Sequence, residues 1–303
     1  MRLLIIVNSF ASSVTARNRV IIEQIFQDAG HDVTLRETNR RGHATRFAQD
    51  AANRGVDVVI ALGGDGTVNE VANGLVGSTT ALGVLPGGST NVFARTIGLV
   101  NDPVSAAQQL AHALEIRPAE PTRLGRVNGR YFCFHTGVGY DAAVVAAVER
   151  HASIKRWLGH PLFVWASLVT FGRGYDRTVP HFRVTVDGET MDDGFFTVVL
   201  NTNPYTFLGN RPLDLVPGEG LDSPLSVVTF RSLGVATLVG GLGRALAGQG
   251  VKGRKLDVRR GVEHLVIESV RPFPYQMDGD HLGDTRRLEF DSIADAIRLV
   301  RPQ

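Results

Sequence analysis

Val59-Ile60-Ala61-Leu62-Gly63-Gly64-Asp65-Gly66-Thr67-Val68-Asn69-Glu70 is the stretch on which the fold turns. An unbroken apolar run enters three glycines with an acid among them, and a helical pattern follows. Runs of this kind are strands buried on both faces, the usual state of a parallel sheet covered by helices. At the carboxyl end of such a strand, backbone N–H groups and a helix N-terminus face a crevice, a geometry suited to phosphate. Asp65 repels a bare phosphate there, so it acts through a magnesium ion or orders the amides of the loop. A capped strand-to-helix turn explains the same residues without a ligand.

Outward from this stretch the pattern repeats. Leu85-Pro86-Gly87-Gly88-Ser89-Thr90-Asn91 follows the apolar run Ala81–Leu85 in the same style, and two glycine-rich loops after adjacent parallel strands converge on one ligand. Leu3–Val7 and Val56–Leu62 are further strands. Helices are expected over Arg19–Ala29, with Val20, Ile21, Ile25 and Phe26 on one side and Gly30 behind it, and over His43–Arg54 before Gly55. Roughly the first 115 residues therefore form βαβ units.

From about residue 120 the pattern changes. Asn128-Gly129 and Asp187-Gly188 each separate apolar runs as two-residue hairpin turns do, and Phe182, Val184 and Val186 alternate with polar residues. This half is antiparallel β, interrupted by helical material at about 142–171 and 232–247.

At 303 residues and 32.7 kDa the chain has room for about two domains. With 43% hydrophobic and 20% charged residues it is too apolar to be disordered and too broken by charge to be a membrane bundle. A net charge of +2 with scattered basic side chains indicates no nucleic-acid partner. Cys133, inside Tyr131-Phe132-Cys133-Phe134, reads as a buried structural thiol, and one cysteine builds no disulfide framework. The five apolar residues Leu3–Val7 fall short of the roughly seven a signal-peptide core needs, and the longest apolar stretch, Pro161 to Phe171, is about half a membrane span. Cytoplasmic placement is expected.

Known nucleotide motifs narrow the chemistry. No G-x-x-x-x-G-K-[ST] occurs, and lysine stands only at Lys155, Lys252 and Lys255, so a P-loop ATPase is excluded. Gly137-Val138-Gly139-Tyr140-Asp141-Ala142 matches G-x-G-x-x-A, but no acid follows near position 160 to hold a ribose.

Gly63–Leu75, as Gly-Gly-Asp-Gly-Thr-Val-Asn-Glu-Val-Ala-Asn-Gly-Leu, resembles the signature of the diacylglycerol kinase catalytic domain family, which includes bacterial lipid kinases and sphingosine kinases. The resemblance extends to Gly88-Ser89-Thr90-Asn91, where the family has Gly-Thr-x-Asn, to Gly137–Ala142, and to Asp278-Gly279-Asp280, and so spans nearly the whole chain. NAD kinases share the Gly-Gly-Asp-Gly core, but Asn69-Glu70-x-x-Asn73-Gly74 points to the lipid branch.

The resemblance implies an α/β + β fold. An amino-terminal open α/β nucleotide-binding domain similar to phosphofructokinases and NAD kinases is expected over residues 1–120, and an antiparallel β-sandwich lipid-substrate domain over 121–287. ATP lies in the cleft between them, and the last segment, about 288–303, returns to the first domain. ATP contacts are implied at Asn8 to Ser12, Thr38, Gly63, Gly64, Asp65, Gly66, Thr67, Asn69, Glu70, Gly87, Gly88, Ser89 and Asn91. Ser9 replaces a usual proline, and Ser89 a usual threonine whose hydroxyl it keeps.

Catalytic roles are implied for Asp280, Asp65, Asp141 and Asp278. Relatives usually carry Asp-Gly-Glu with the glutamate as proton acceptor; Asp280 is one methylene shorter, so it must approach further or act through water to come within about 2.6–3.2 Å of the hydroxyl. Asp141 is implied near the lipid head group, and His281 is a substitute base. Without the resemblance, Asp278-Gly279-Asp280 reads as a solvated hairpin tip and Asp141 as a helix cap. The family's second magnesium site, Asp-Gly-Leu-Leu-Asp-Val, corresponds to Asp222-Ser223-Pro224-Leu225-Ser226-Val227, which leaves Asp222 as its one acid.

The implied reaction is in-line attack of a lipid hydroxyl, diacylglycerol by default, on the γ-phosphate of ATP with Mg2+ neutralising charge. A soluble-substrate kinase of the NAD-kinase type and a nucleotide-binding protein that has lost transfer are the alternatives. A membrane lipid substrate calls for peripheral contact with the inner face of the membrane. Two regions suit it: Trp157, Leu158, Leu162, Phe163, Trp165, Leu168 and Phe171, edged by Lys155, Arg156 and Arg173, and the segment 233–255 ending in Lys252, Arg254 and Lys255. A homodimer is left open.

Overall fold

Aliphatic runs that tolerate no polar residue become the central strands of an amino-terminal unit. The computed structural model describes residues 1–140, 142, 176 and 178–302. Its chain divides into two units, Met1–Leu124 with Ala294–Gln303, and Gly125–Ile293.

In the first unit the elements alternate: β1 (Arg2–Asn8), α1 (Ala16–Asp28), β2 (Asp32–Thr38), α2 (His43–Asn53), β3 (Val58–Gly63), α3 (Asp65–Leu75), β4 (Ala81–Pro86), α4 (Val92–Thr96) and α5 (Pro103–Ile116). The strands lie parallel in the order β4-β3-β1-β2. Their register places Asn8 beside Thr38, and Gly63 beside Pro86, so the loops that leave β1, β3 and β4 emerge at one edge. Every residue of β3 and β4 is buried, which explains why both were legible as unbroken apolar runs. β2 is the outer strand, half exposed, and its Asp-Val-Thr-Leu-Arg-Glu-Thr sequence carries no such run. Helix starts follow local chemistry: Thr15 accepts the Asn18 amide and moves the start of α1 ahead of the expected Arg19, and Asp102 accepts the Ser105 amide with Pro103 at the first helical position of α5.

The second unit is antiparallel. Its strands are β6 (Arg130–Phe132), β7 (His135–Gly139), β8 (Phe182–Val186), β9 (Glu189–Gly194), β10 (Phe196–Leu200), β11 (Thr206–Leu208), β12 (Arg211–Leu213), β13 (Leu225–Phe230), β14 (Leu256–Val262) and β15 (His264–Met277), with helix α6 (Val235–Leu246) before β14. β5 (Glu120–Val127) leads into this unit, and β16 (Asp280–Leu299) begins in it and ends in the first, where Arg298 and Leu299 pair parallel with Ala81 and Leu82. β15 has three neighbours: Leu265–Glu268 pair with β8 and Tyr275–Met277 with β7, while β16 pairs with it from His264 to Met277, with an irregularity between Glu268 and Phe273 that falls where β8 gives way to β7.

Three hairpins in this unit share one turn. Asn128-Gly129, Asp187-Gly188 and Asp278-Gly279 all have both central residues at positive φ, near 46–49° and 82–85°, the type I′ geometry whose twist matches the strands it joins. Along β10 alternate residues face two cores. Val199 joins Val138, Val227, Leu265 and Phe273 on one side, and Val198 and Leu200 join Val228, Phe230 and Ala245 on the other. The helical stretch expected at 232–247 is α6; the one expected at 142–171, with its Trp157 and Trp165, lies outside the described residues apart from Ala142, which is buried.

Candidate functional site

In the first unit the two glycine loops touch backbone to backbone. The Gly87 amide donates to the Gly63 carbonyl at 2.7 Å, and the Gly87 carbonyl accepts the Ser13 amide at 2.9 Å. A Cβ on Gly87 would lie 2.8 Å from the Cα of Gly63, and one on Gly88 would lie 2.9 Å from the Cα of Gly64. No side chain fits at that separation, so glycine is required by close approach. A Cβ on Gly63 would in turn meet the Thr67 hydroxyl at 2.6 Å.

Asp65 ties the loops together from below. As first residue of α3 it reaches across to α4, where its two carboxylate oxygens accept the amides of Val92 and Phe93, each at 3.0 Å. Burial pushes its carboxyl above the ordinary range, and the Phe93 and Val92 amides oppose that shift. Of the two roles open to Asp65 from sequence, ordering of amides is the one its hydrogen bonds describe. Asn91 fixes the second loop. It sits at φ 50°, accepts the Gly88 amide at 2.8 Å and donates to the Gly88 carbonyl at 2.9 Å and to Asn101 at 2.7 Å. Ser89, at the tip, is exposed.

Asn8 joins the same edge by donating to the Thr67 hydroxyl at 3.2 Å, and Thr38 is buried with its hydroxyl 3.4 Å from the Val7 carbonyl. Gly64 and Gly66 are half-buried, Ser12 is exposed, and Asn69 is buried inside α3. Ten of the ATP contacts implied by resemblance, from Gly63 to Asn69 and from Gly87 to Asn91, thus stand on two adjoining loops and the start of α3 at one edge of the sheet.

Glu70 does something local sequence does not reveal. Its two oxygens accept the amides of Gly42 and Ala44, at 2.9 and 3.1 Å, while its carbonyl accepts the Thr45 hydroxyl at 2.9 Å. These amides open α2, whose own cap residue, Gly42, has no side chain to offer them. Glu70 is the cap of a helix from a different part of the chain. Glu70→Ala is expected to cost about 1–2 kcal/mol of stability, read as a lower urea midpoint, with Glu70→Gln losing less because it keeps one acceptor oxygen.

In the second unit, Asp278 occupies no solvated tip. It is 5% exposed, and its carboxylate accepts three consecutive amides: Cys133 at 2.6 Å, Phe134 at 2.9 Å and His135 at 3.1 Å. Its own amide donates to the His135 carbonyl at 2.9 Å, and Gln276 accepts the Gly279 amide at 2.9 Å. The tip is thereby clamped to the chain that joins β6 to β7. Asn201, which no sequence motif singled out, completes the clamp by donating to the Cys133 carbonyl at 2.9 Å while its amide donates to Phe134. Cys133, the one cysteine of the chain, is buried, as its apolar flanks led us to expect.

Asp280 and His281 open β16 directly after this clamp, and both are half-buried. Nearby His135 lies against Tyr205 with ring centroids 4.4 Å apart, and burial lowers its pKa to about 3, so it stays neutral and is no base at neutral pH. Asp141 lies outside the described residues. Asp222 is exposed whereas Ser226 is buried within β13, and among the described residues no cluster of three His, Cys, Asp or Glu side chains could hold a metal ion. The residues present do not form the two-carboxylate second magnesium site.

The chain is similar to known proteins. Residues 2–121 match the family model of the diacylglycerol kinase catalytic domain. A diacylglycerol kinase of Bacillus subtilis (strain 168) is 41% identical over 119 residues, 38% of either chain. A protein of Alcanivorax borkumensis named "Probable lipid kinase YegS-like" is 27% identical over 308 aligned positions, 99% of this chain and 96% of that one. The crystal structure of a diacylglycerol kinase from Bacillus anthracis str. Sterne superimposes with a TM-score of 0.72 at 20% identity, covering 99% of this chain and 96% of that chain, and shares the fold.

Proposed function

Residues 2–121 place this chain in the diacylglycerol kinase catalytic domain family, and from that premise we propose that it transfers the γ-phosphate of MgATP to a hydroxyl of diacylglycerol, giving phosphatidic acid. The observation that carries the reading is the pair of glycine loops held backbone to backbone at the carboxyl ends of β3 and β4. α3 begins directly after the first of these loops, so its N-terminus, which favours a polyphosphate, lies at the same edge.

Magnesium enters with the nucleotide and neutralises charge that develops on the transferring group. Asp65 and Asn91 hold the loops in one shape before the nucleotide arrives, so less ordering entropy is lost on binding. Asp280 accepts the proton of the lipid hydroxyl, and the Asp278 clamp fixes the strand on which Asp280 stands.

The test is transfer of labelled γ-phosphate from MgATP to diacylglycerol, sphingosine and NAD, each offered in mixed micelles. Label in phosphatidic acid is the expected outcome. Label on sphingosine alone reassigns the acceptor, and label on NAD overturns the lipid reading.

A further inference from the structure

Between Asp222 and Asp257 the sequence holds no acid, yet Arg231, Arg244, Lys252, Arg254 and Lys255 all fall there, with two of the three lysines of the chain. Helix α6 occupies the middle of this stretch. Four of its apolar side chains face water: Val235 is 60% exposed, Val239 63%, Leu242 46% and Leu246 38%. Their spacing of four, three and four residues sets them in a single stripe along the helix.

Neither core cluster of the described residues includes this stripe. α6 already packs through Leu238, Gly241 and Ala245, which adjoin Phe230 and Val251 in the core. Lys252, Arg254 and Lys255, in the loop just after the helix, are all exposed and form no ion pair with a described residue. An apolar stripe followed by exposed cations is the composition of a helix that lies in the plane of an anionic membrane, its apolar residues among acyl chains and its cations at the level of lipid phosphates. In a two-fold contact through this surface a second copy sets the same three cations against one another, so it offers no charge complement to them.

We propose that α6 and the 252–255 loop form the surface by which the protein docks on an anionic lipid bilayer. The choice of a membrane as occupant rests on the lipid-kinase reading. The surface supplies what a kinase with a bilayer-resident acceptor needs, residence at the interface during successive turnovers.

Vesicle co-sedimentation of the full chain tests it, with phosphatidylcholine vesicles containing phosphatidylglycerol set against phosphatidylcholine alone. Binding to the anionic vesicles that weakens with salt is expected. The triple variant Lys252→Glu/Arg254→Glu/Lys255→Glu should bind at least about 100-fold more weakly, each cation near an anionic surface contributing about fivefold. Val239→Ser/Leu242→Ser should bind about tenfold more weakly. Both variants should phosphorylate lipid in detergent micelles as the wild type does. As a second measurement, Leu242→Cys carrying a polarity-sensitive fluorophore should shift to the blue on anionic vesicles, Cys133 being 1% exposed and out of reach of the label.

Wild-type vesicle binding by both multiple variants, or an unshifted fluorophore on bound protein, overturns the proposal. So does a dimer that the stripe variant dissociates without change in vesicle binding. The two readings fail separately. Vesicle binding with the expected variant losses but no lipid phosphorylated leaves the surface standing and removes the kinase reading; lipid phosphorylation with unaltered vesicle binding does the reverse.

Discussion

Asp280→Ala is expected to bind MgATP with wild-type affinity and to transfer its phosphate about 10²–10⁴-fold more slowly, the usual contribution of a positioned general base. Asp280 is the first residue of β16, directly after a type I′ turn whose two residues are both fixed at positive φ. A side chain at such a point inherits the position of the turn, and this turn is clamped. The decisive readout is the split between constants: kcat falls while KM for ATP holds. Asp280→Asn should match the alanine variant, since it keeps the shape and loses the base. Asp280→Glu restores the length usual in relatives and should retain most of the rate. A kcat within tenfold of wild type for Asp280→Ala removes Asp280 from the mechanism and turns attention to His281, its neighbour on the same strand.

Two residues earlier, the same substitution should act through stability. Asp278→Ala leaves the amides of Cys133, Phe134 and His135 buried without their acceptor. A buried donor left unsatisfied costs about 1–3 kcal/mol, and loss of a buried charge-assisted network costs about 3–5 kcal/mol in total. Asp278→Ala is therefore expected to lose about 3–5 kcal/mol, a large part of the about 5–15 kcal/mol that holds a typical domain folded. Urea unfolding followed by circular dichroism measures it. Asp278→Asn should fall between, because its amide oxygen serves one or two of the donors while its NH2 group faces the rest. A loss under about 1 kcal/mol would mean that water replaces the carboxylate and that the clamp is not structural. Asp280→Ala should cost less stability than Asp278→Ala, so the pair separates a catalytic carboxylate from a positioning one within three residues.

Local chemistry made much of this protein legible. The βαβ alternation follows from aliphatic runs that only a covered parallel sheet can bury, and β3 and β4 are buried throughout. The hairpins at Asn128-Gly129 and Asp187-Gly188 follow from residues that tolerate positive φ. The glycine loops follow from the same logic of conformational and steric permission. All these signals are carried by neighbours in sequence, which is why a linear reading finds them.

What the acids do was a matter for tertiary structure. Asp65 accepts amides 27 and 28 residues away, Glu70 amides 26 and 28 residues away, and Asp278 amides 143 to 145 residues away. A carboxylate in a motif has one appearance in sequence whether it meets a ligand, caps a distant helix or clamps a loop; the difference lies in which donors the fold delivers to it. The outer strand β2 escaped notice because an edge needs no apolar run, and the stripe on α6 needed the fold to show which of two apolar faces the core takes. Sequence by itself determined the elements, the turns and the two glycine loops, since each depends on backbone conformation and burial over a few residues. Tertiary structure alone decided which polar groups are spent on the fold and which remain for chemistry, because hydrogen-bond partners are assigned by distance in space.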